Sequence, residues 1–339
     1  MEKLRIGIIG AGGIAQHRHL PAFQKLSDLC EIQAICDVNM KRAQEVADTY
    51  NIPIVHKEYQ DIFSEVDAVC ICTPNKFHAE IAIAASEAGL HVFCEKPMAL
   101  TAEECEAMIS ASNKAGKVLS VAYHYRFTRE AQAAKKVMGE VGVPIVVRVR
   151  ALRQRKIPSW GVFTNKELQG GGSLIDWGCH FLDLALWLIG NPTETEVSGS
   201  VYNHLSKKPN QVNEWGIFDH NTFEVDDHVS AYIKFENGTS MLFETSWAAN
   251  IKKDDEHISI SGVDGGLSVF PFELYTTQNG MLLNSTTPWL PGEEKPDLPQ
   301  ARNFIEACLG QAELVVKPEE ALQVSRIIDQ IYETGGTLS

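Results

Sequence analysis

Short, almost uniformly apolar runs alternate with longer amphipathic stretches through the first part of the chain. This alternation predicts strands and helices that follow one another in an α/β domain. Apolar runs of this kind are typical of parallel strands that are covered on both faces. The predicted strands are Ile6–Ile9, Glu31–Cys36, Ala68–Cys72, His91–Cys94 and Val118–Ala122.

Helical spacing of apolar residues between these strands predicts helices at 14–26, 41–50, 77–88 and 102–115. Gly89 and Gly116 are expected to end the third and fourth helices, because glycine accepts the left-handed conformation that closes many helices. Pro21 is expected to end or kink the first turn of the first helix. A short extended piece at 52–55 and a short helix or turn at 59–64 complete a pattern that predicts a doubly wound parallel sheet.

Beyond Phe127 apolar and polar positions alternate, which is typical of strands with one buried face. Asn237-Gly238 separates two such runs and predicts a hairpin. These features predict a Rossmann domain over 1–124 and, over 125–339, an α+β domain with a large, mostly antiparallel open sheet. The alternating runs lie at 145–151, 195–201, 227–235, 239–248, 257–261 and 267–270, and helices are predicted at 130–138, up to Gly190, and at about 318–332, where the last helix could pack back on the first domain.

The first predicted strand leads directly into the glycine-rich turn Gly10–Ala15, with the spacing G-x-G-x-x-A. The first glycine permits a tight turn, the second lets backbone N–H groups approach a pyrophosphate, and the small last residue lets the following helix pack closely. The N-terminus of that helix favours an anion. A glycine-rich turn without a ligand is the alternative, but the flanking strand and helix favour a dinucleotide. The expected contacts are Gly10, Gly12, Gly13 and Ile14.

Asp37 ends the second predicted strand, 27 residues beyond Gly10. This is close to the spacing of the acidic residue that accepts a hydrogen bond from a ribose 2′-hydroxyl. A carboxylate repels a 2′-phosphate, although Lys41 and Arg42 follow closely and could offset part of that repulsion. NAD is therefore expected as the cofactor in preference to NADP.

Polar or conformationally special residues follow each predicted parallel strand of the first domain. Ligands of doubly wound sheets bind outside the carboxyl ends of the strands. The five strand ends together therefore predict one binding edge. The residues at these ends are Gly10, Asp37, Thr73–Asn75, Glu95–Pro97 and Tyr123–His124.

The stretch from Gly170 to His180 is predicted to be a loop that leads into a helix. Asp176 and His180 are four residues apart and are expected on one helix face. A nearby carboxylate raises the basicity of an imidazole and can orient it, which suits a base that takes the proton from an alcohol. A helix-terminal carboxylate and a structural histidine are the alternative.

Lys96 lies beyond a strand end and precedes Pro97, which restricts its backbone. Its ammonium could hold a substrate oxygen or join a proton relay. A surface pair with Glu95 is the alternative, and the position at the binding edge favours the functional interpretation.

A basic run from Arg148 to Lys156 is interpreted mainly as a solvent-exposed strand face or a contact between subunits. Its later part leads towards the Gly170 loop, so Arg153 and Trp160 are expected to border the substrate. His228 follows two aspartates, but no third ligand is indicated and a hydrogen-bonded strand histidine is expected. No metal site is predicted.

Charge and composition exclude several classes of partner. The net charge of −14 over 339 residues makes nucleic acid an unfavourable partner. No stretch approaches 18 uninterrupted apolar residues and no N-terminal signal precedes the first strand, so no membrane association is expected. The 8 cysteines are scattered and are expected to be free core thiols in a cytoplasmic protein.

Taken together, these motifs show that the sequence resembles the glucose–fructose oxidoreductase and inositol dehydrogenase family. The resemblance extends from Ile6 to about Tyr332. The later motifs are more specific than the glycine turn. The matching pieces are GAGGIA, Asp37, Thr73-Pro74-Asn75 with His78, Glu95-Lys96-Pro97, and Gly171–Asp176 with His180.

This resemblance implies a Rossmann domain, a domain with an open sheet, and a substrate bound between them. It implies that His180 is the base, that Asp176 is its partner and a substrate ligand, and that Lys96 is a substrate ligand or relay. Members usually associate as dimers or tetramers through the open sheet. Contacts near the nicotinamide are implied for Thr73, Pro74, Asn75, His78, Glu95, Lys96 and Pro97, and contacts near the reacting carbons for Tyr123 and His124.

The segment 157–164 is similar to a subgroup that includes scyllo-inositol dehydrogenases, which favours a cyclic polyol or a sugar as substrate. The expected activity is oxidation of a secondary alcohol by hydride transfer to the nicotinamide of NAD. Two alternatives stay open: a glycosidase that uses tightly held NAD for transient oxidation, and a cofactor-sensing regulator that has no catalytic activity.

Overall fold

The computed structural model describes residues 3–336, which contain two β-sheets and the helices that pack on them. No helix in this range is long and apolar enough to cross a membrane. The strands are β1 (Leu4–Ile9), β2 (Cys30–Cys36), β3 (Ile54–His56), β4 (Ala68–Ile71), β5 (His91–Cys94), β6 (Leu119–Val121), β7 (Pro144–Leu152), β8 (Glu194–Tyr202), β9 (His228–Phe235), β10 (Ser240–Ser246), β11 (Asp255–Gly262), β12 (Gly265–Ser268), β13 (Glu273–Gln278) and β14 (Met281–Thr286).

The helices are α1 (Leu20–Lys25), α2 (Met40–Tyr50), α3 (His78–Glu87), α4 (Ala102–Ala115), α5 (Arg129–Val141), α6 (Lys166–Gln169), α7 (Cys179–Ile189), α8 (Asp297–Cys308) and α9 (Pro318–Thr334). Short 3₁₀ segments lie at Tyr59–Glu65, Asn75–Phe77 and His124–Phe127, and single π-helical turns at Ala15–His19 and Leu174–Gly178.

The first sheet is six-stranded, with the order β3-β2-β1-β4-β5-β6 and parallel pairing throughout. This is the order of a dinucleotide-binding sheet, with its reversal between β1 and β4. Ile6 and Ile8 of β1 are fully buried, as the uniform apolar run predicts. The doubly wound fold is therefore confirmed.

The second sheet is eight-stranded, with the order β14-β13-β12-β11-β7-β10-β9-β8. Its neighbours pair antiparallel except for the parallel pair β7 and β10, which confirms the mostly antiparallel sheet. On β7, Val147, Val149 and Ala151 are buried while Arg148 and Arg150 are exposed. One face of the sheet is therefore buried in a hydrophobic core, and the other face is exposed to solvent.

Contacts divide the chain into two compact units. The first unit comprises the residues up to Phe127 together with Lys295–Leu322, and the second comprises Thr128–Glu294 together with the residues from Gln323. Within the first unit, Phe304 of α8 stacks on Phe93 of β5 with ring centroids 4.9 Å apart. The sequence analysis did not predict this helix.

Two helices differ from their predicted course. Pro21 lies in the first turn of α1 and does not interrupt it, because a π-helical turn at Ala15–His19 precedes the helix and the missing N–H falls at a helix start. The helix α5 continues through Gly139 to Val141, although the sequence predicts its end at 138. Burial of Val141 offsets the helix penalty of a glycine, which is about 1 kcal/mol.

Two hairpins show how local sequence fixes a turn. Gly238 has a φ of +84° while Asn237 is not left-handed, so the predicted hairpin between β9 and β10 is a wider turn with glycine at its left-handed position. Asn279 and Gly280 both have positive φ and join β13 to β14 by a two-residue turn. The sequence prediction did not include this second hairpin.

Candidate active site

The glycine turn after β1 is held against two neighbouring strands of the first unit. Gly10 has a φ of +97°, and its N–H donates to the carbonyl of Cys36 at 2.9 Å. A Cβ at Gly10 would lie 2.8 Å from the carbonyl oxygen of Cys72, whereas a Cβ at Gly12 would meet nothing within 4 Å. Close approach of β4 therefore requires the first glycine, and open space lies over the second.

Asp37 links the end of β2 to this turn. Its Oδ2 accepts a hydrogen bond from the N–H of Ala11 at 2.8 Å, and its Oδ1 accepts one from the N–H of Asn39 at 2.8 Å. The Nη2 atom of Arg42 lies 2.8 Å from both oxygens. The carboxylate is therefore buried, oriented at the turn, and paired with a guanidinium that is 45% exposed.

The loop after β4 contains a polar atom that lacks a partner. Thr73 Oγ1 is buried and has no hydrogen-bond partner among the described residues. The neighbouring His78 is fully buried, and its ring nitrogens lie 3.0 Å from the carbonyl of Thr73 and 2.9 Å from that of Pro97. Burial lowers the pKa of His78, and the two carbonyls oppose that shift only in part. A neutral His78 carries one N–H and therefore donates to only one of these carbonyls, although its ring lies between both strand-end loops.

Glu95, at the end of β5, forms a buried pair with His19, whose Nε2 lies 2.6 Å from Glu95 Oε1. Burial lowers the pKa of His19, but Cys72 and Glu95 outweigh burial and raise it to about 9. Burial raises the pKa of Glu95, but His19, Lys96 and Arg18 outweigh that effect and lower it to about 2. Both groups are therefore charged at neutral pH, and the negative charge is fixed one residue before Lys96.

Lys96 belongs to the first unit and is partly exposed, and its backbone N–H donates to Glu95 Oε2 at 3.1 Å. Its peptide bond to Pro97 is cis. Pro74 precedes the 3₁₀ turn at Asn75–Phe77. The predicted cofactor contacts of these residues, and of Gly13 and Ile14 in the glycine turn, stay predictions.

Tyr123 and His124 follow β6 and are both buried, with Tyr123 fully so. Burial lowers the pKa of His124 well below its usual range, and the positive charge of Arg18 adds to the shift. His124 is therefore neutral at physiological pH and cannot supply a fixed positive charge. Contact of either residue with substrate stays a prediction.

In the second unit, the Gly170 loop is anchored by the buried carboxylate of Asp226. Its oxygens accept hydrogen bonds from the N–H of Gly172 at 2.7 Å, the hydroxyl of Ser173 at 2.8 Å and the N–H of Leu174 at 2.9 Å. The hydroxyl of Tyr332, on α9, donates the fourth bond at 2.7 Å. These bonds satisfy free N–H groups where the helical segment begins.

Asp176 lies in the π-helical turn that this anchor precedes. Its Oδ2 accepts a hydrogen bond from the indole N–H of Trp247 at 3.0 Å and lies 3.8 Å from Nη1 of Arg153. The side chain of Asp176 keeps 17% of its surface exposed. One hydrogen bond and one nearby guanidinium therefore orient the carboxylate, and part of it stays accessible to a ligand.

His180 lies one turn further along, in the first turn of α7, and is 4% exposed. The residues on either side of it are buried, since every residue from Cys179 to Ile189 is buried. The predicted helix and its end at Gly190, which has a φ of +87°, are present. Asp176 and His180 are thus fixed on one rigid segment, which suits a base and its partner.

Arg153 and Trp160 also belong to the second unit. The guanidinium carbon of Arg153 lies 4.0 Å from the ring centroid of Trp177 and 4.6 Å from that of Trp215. Trp160 is 54% exposed, and its ring centroid lies 5.4 Å from that of Trp215. Both predicted substrate contacts therefore join an aromatic cluster that begins beside Asp176.

The sulfur atoms of Cys70 and Cys72 lie 3.7 Å apart, as their spacing on one strand face predicts. With a ring nitrogen of His19 they form a buried group whose atoms lie within 4.8 Å of one another. Since His19 is engaged by Glu95, we assign this group to the core of the first unit. His228 is hydrogen-bonded to Glu244 on the adjacent strand, with 2.9 Å between His228 Nε2 and Glu244 Oε1.

The first unit fits a dinucleotide. The open space over Gly12 suits a pyrophosphate, Asp37 lies at the glycine turn, and Thr73 Oγ1 is a buried hydroxyl without a partner among residues 3–336. These residues and the neighbouring strand-end loops would hold the cofactor, which supplies the hydride acceptor when it is bound.

Several residues of the site were not selected by the sequence analysis. His19, Trp215 and Trp247 each contact a residue whose function was predicted but which lies far from them in the sequence. Asp226 and Tyr332 anchor the loop that leads to Asp176. The run His17-Arg18-His19 beside the glycine turn is the one local signal that could have pointed to His19. The other four become recognisable only when strands and helices pack.

Two family models match the chain. Residues 4–123 match the oxidoreductase family with an NAD-binding Rossmann fold, and residues 107–268 match the GFO/IDH/MocA C-terminal domain. Among curated proteins, the chain is 35% identical to the D-glucoside 3-dehydrogenase of Escherichia coli K12, over 98% of this chain and 96% of that protein.

Two further similarities concern levoglucosan dehydrogenases. The enzyme of Pseudarthrobacter phenanthrenivorans is 30% identical to this chain, and the match covers 80% of this chain and 75% of that enzyme. A solved structure of levoglucosan dehydrogenase in complex with NADH and levoglucosan superposes with a TM-score of 0.84 at 26% identity, and covers 98% of this chain and 97% of that one.

Proposed function

The chain belongs to the GFO/IDH/MocA family of oxidoreductases, which act on CH–OH donors, and we propose that it oxidises a secondary alcohol of a sugar with NAD. The main support for this proposal is the position of Asp176. Its carboxylate contacts Trp247 and Arg153, and it lies one turn before His180 on a rigid segment. Relatives named for glucoside and levoglucosan oxidation support a sugar as the substrate.

His180 is the proposed proton acceptor. An alcohol loses a proton from oxygen as it loses a hydride from carbon, so a neutral imidazole must be positioned at the hydroxyl. Asp176 is proposed to stabilise the imidazolium that forms and to accept a hydrogen bond from the sugar. Lys96 is the proposed ligand of the reacting oxygen, where its charge stabilises a developing alkoxide.

NAD is proposed as the preferred cofactor because Asp37 directs a carboxylate at the glycine turn. A 2′-phosphate next to this carboxylate would be repelled, although Arg42 neutralises part of the charge. We expect Asp37→Ala to weaken NADH binding at least tenfold, which titration of NADH fluorescence would measure.

The catalytic proposal is tested by NADH formation from a panel of inositols, aldoses, glycosides and sugar phosphates, read by absorbance. His180→Ala and Lys96→Ala are expected to lower kcat by 100-fold or more while NADH binding is retained. Full turnover by either variant would contradict the assigned roles. Retained NAD with no net NADH and cleavage of a glycoside would identify the glycosidase alternative, and NADH binding without any turnover would identify a sensor.

We further propose that two copies associate through the exposed face of the second sheet. Leu242 of β10 is 48% exposed and pairs in register with Tyr232 of β9 and Arg148 of β7. An exposed leucine between an aromatic and a cation in the middle of a sheet is typical of a covered interface. Sedimentation should show a dimer or tetramer that Leu242→Asp dissociates.

All cysteines are free, and seven of the 8 are buried. We propose a cytoplasmic location because such thiols persist in a reducing compartment. Fractionation of cells that produce the protein would test this.

A further inference from the structure

Four side chains of the second unit form a continuous stack that begins beside Asp176 and ends in solvent. Trp177 lies over one side of the Arg153 guanidinium at 4.0 Å, and Trp215 lies 4.6 Å from the same group. Trp160 follows, with its ring centroid 5.4 Å from that of Trp215 and an angle of 47° between the rings.

The last side chain of this stack is the most exposed. The side chain of Arg153 is 11% exposed, whereas Trp160 is 54% exposed. A large indole that remains half exposed loses much of the stabilisation that burial would give. Its position therefore requires a reason other than the core of the unit.

The exposed end of the stack is held in place by hydrogen bonds. The side chain of Asn213 accepts from the N–H of Ile157 at 2.8 Å and donates to the carbonyls of Ile157 and Gly216, both at 2.9 Å. The hydroxyl of Ser159 donates to the carbonyl of Trp215. The segment that precedes Trp160 is thus tied to residues on both sides of Trp215.

In this stack, charged groups lie at one end and an aromatic surface at the other, which matches the polar and apolar parts of a glycoside. A sugar ring has hydroxyls on its rim and C–H groups on its faces, so it binds where charged side chains meet an aromatic surface. Asp176 and Arg153 supply the charged groups at one end, and Trp160 supplies a fixed aromatic surface at the other.

We propose that Trp160 and Trp215 form a subsite for the substituent on the anomeric oxygen of the substrate, a group with a flat face such as a second sugar ring or an aryl ring. This inference rests on the proposed function, since it assumes that the sugar to be oxidised binds at Asp176. It makes the substrate a glycoside, in preference to a free monosaccharide or an inositol, neither of which carries such a substituent.

The test compares kcat/KM for NADH formation among methyl, phenyl and glucosyl glucosides, with both anomers of each. The variants are Trp160→Ala, Trp160→Phe and the control Trp289→Ala, which removes a tryptophan that is 69% exposed elsewhere in the same unit. Thermal unfolding of each variant confirms that it is folded.

The wild-type protein is expected to prefer a ring-bearing glucoside over the methyl glucoside. Trp160→Ala should reduce this preference about three- to tenfold, Trp160→Phe should restore most of it, and Trp289→Ala should leave it unchanged. The phenyl and glucosyl arms identify which kind of ring is preferred.

An unchanged preference in Trp160→Ala, or an equal loss for all glucosides, would overturn the subsite. The same holds if Trp160→Ala changes only the oligomeric state, since a second copy of the chain would then cover the tryptophan. Absence of turnover with every sugar would instead overturn the proposed function, so the two failures are distinguishable.

Discussion

Tyr332, seven residues from the end of the chain, donates a hydrogen bond of 2.7 Å to the carboxylate of Asp226, which also holds the N–H groups of Gly172 and Leu174. Burial raises the pKa of Tyr332 well above its ordinary value, and the negative charge of Asp226 adds to the shift, so the phenol stays protonated and remains a donor. The last helix thereby fixes the start of the segment that carries Asp176 and His180.

Gly172→Ala is expected to lower the free energy of unfolding by about 3 kcal/mol, because its Cβ would lie 1.9 Å from the carbonyl oxygen of Asp226. Urea unfolding measures the change. Gly139→Ala is the matched control, since a Cβ on this glycine of α5 meets nothing within 4 Å. It should raise stability by about 0.5–1 kcal/mol. Equal effects of the two substitutions would contradict this description of the loop.

Tyr332→Phe removes one of the four bonds to Asp226 and should cost about 1–2 kcal/mol of unfolding free energy. Asp226→Asn should cost more, because an amide presents N–H groups to partners that are themselves donors. Both variants should also lower kcat, since they loosen the segment that positions the proposed base. Denaturant unfolding and steady-state kinetics compare the two variants. A smaller loss of stability in Asp226→Asn than in Tyr332→Phe would refute this ranking.

Arg42→Ala should shift cofactor use further towards NAD. The guanidinium contacts both oxygens of Asp37, so its removal leaves the carboxylate charge without a counterion at the position of a 2′-phosphate. The ratio of kcat/KM with NADP to that with NAD is expected to fall about tenfold, a change of about 1.4 kcal/mol. Lys41→Ala is the control, because that side chain is 87% exposed. A rise in the ratio would refute the role of Arg42.

The His19–Glu95 pair should make stability depend on pH. The pKa of His19 rises from 6.5 to about 9 in the folded protein, so its contribution is complete below pH 6.5 and is lost as pH rises through 9. The pKa of Glu95 falls from 4.5 to about 2, so its contribution is complete above pH 4.5 and is lost as pH falls through 2.

His19→Gln should therefore flatten the loss of stability between pH 6.5 and 9, although it lowers stability at pH 6. Unfolding by urea at pH 6, 7.5 and 9 for both proteins checks the slope. A wild-type protein whose stability is constant over this interval would contradict the charged pair. His228→Gln is the control for general effects of a lost histidine, because His228 belongs to the second unit and is partly exposed.

Local sequence was sufficient where a structure depends on neighbouring residues. The apolar runs predicted a doubly wound parallel sheet, which is present with six strands. The helix Ala102–Ala115 ends at Gly116 as predicted, and it begins at a Thr101 capping box. Asn279-Gly280 carried the same kind of signal for the last hairpin. The helix α8 was missed because its apolar residues follow a stretch rich in proline and charge, and only tertiary contacts, with α1 and with Phe93 among others, give them a buried face.

The sequence by itself determined the family, the two kinds of sheet and the residues proposed for chemistry, because spacing along one strand or helix fixes those features. Only the tertiary structure decided that Asp226 and Tyr332 anchor the Gly170 loop, that Trp247 and Arg153 hold Asp176, and that His19 pairs with Glu95. The hydrogen-bonded partners among them are separated by 52 to 106 residues along the chain. Their proximity depends on the packing of elements that no local pattern encodes.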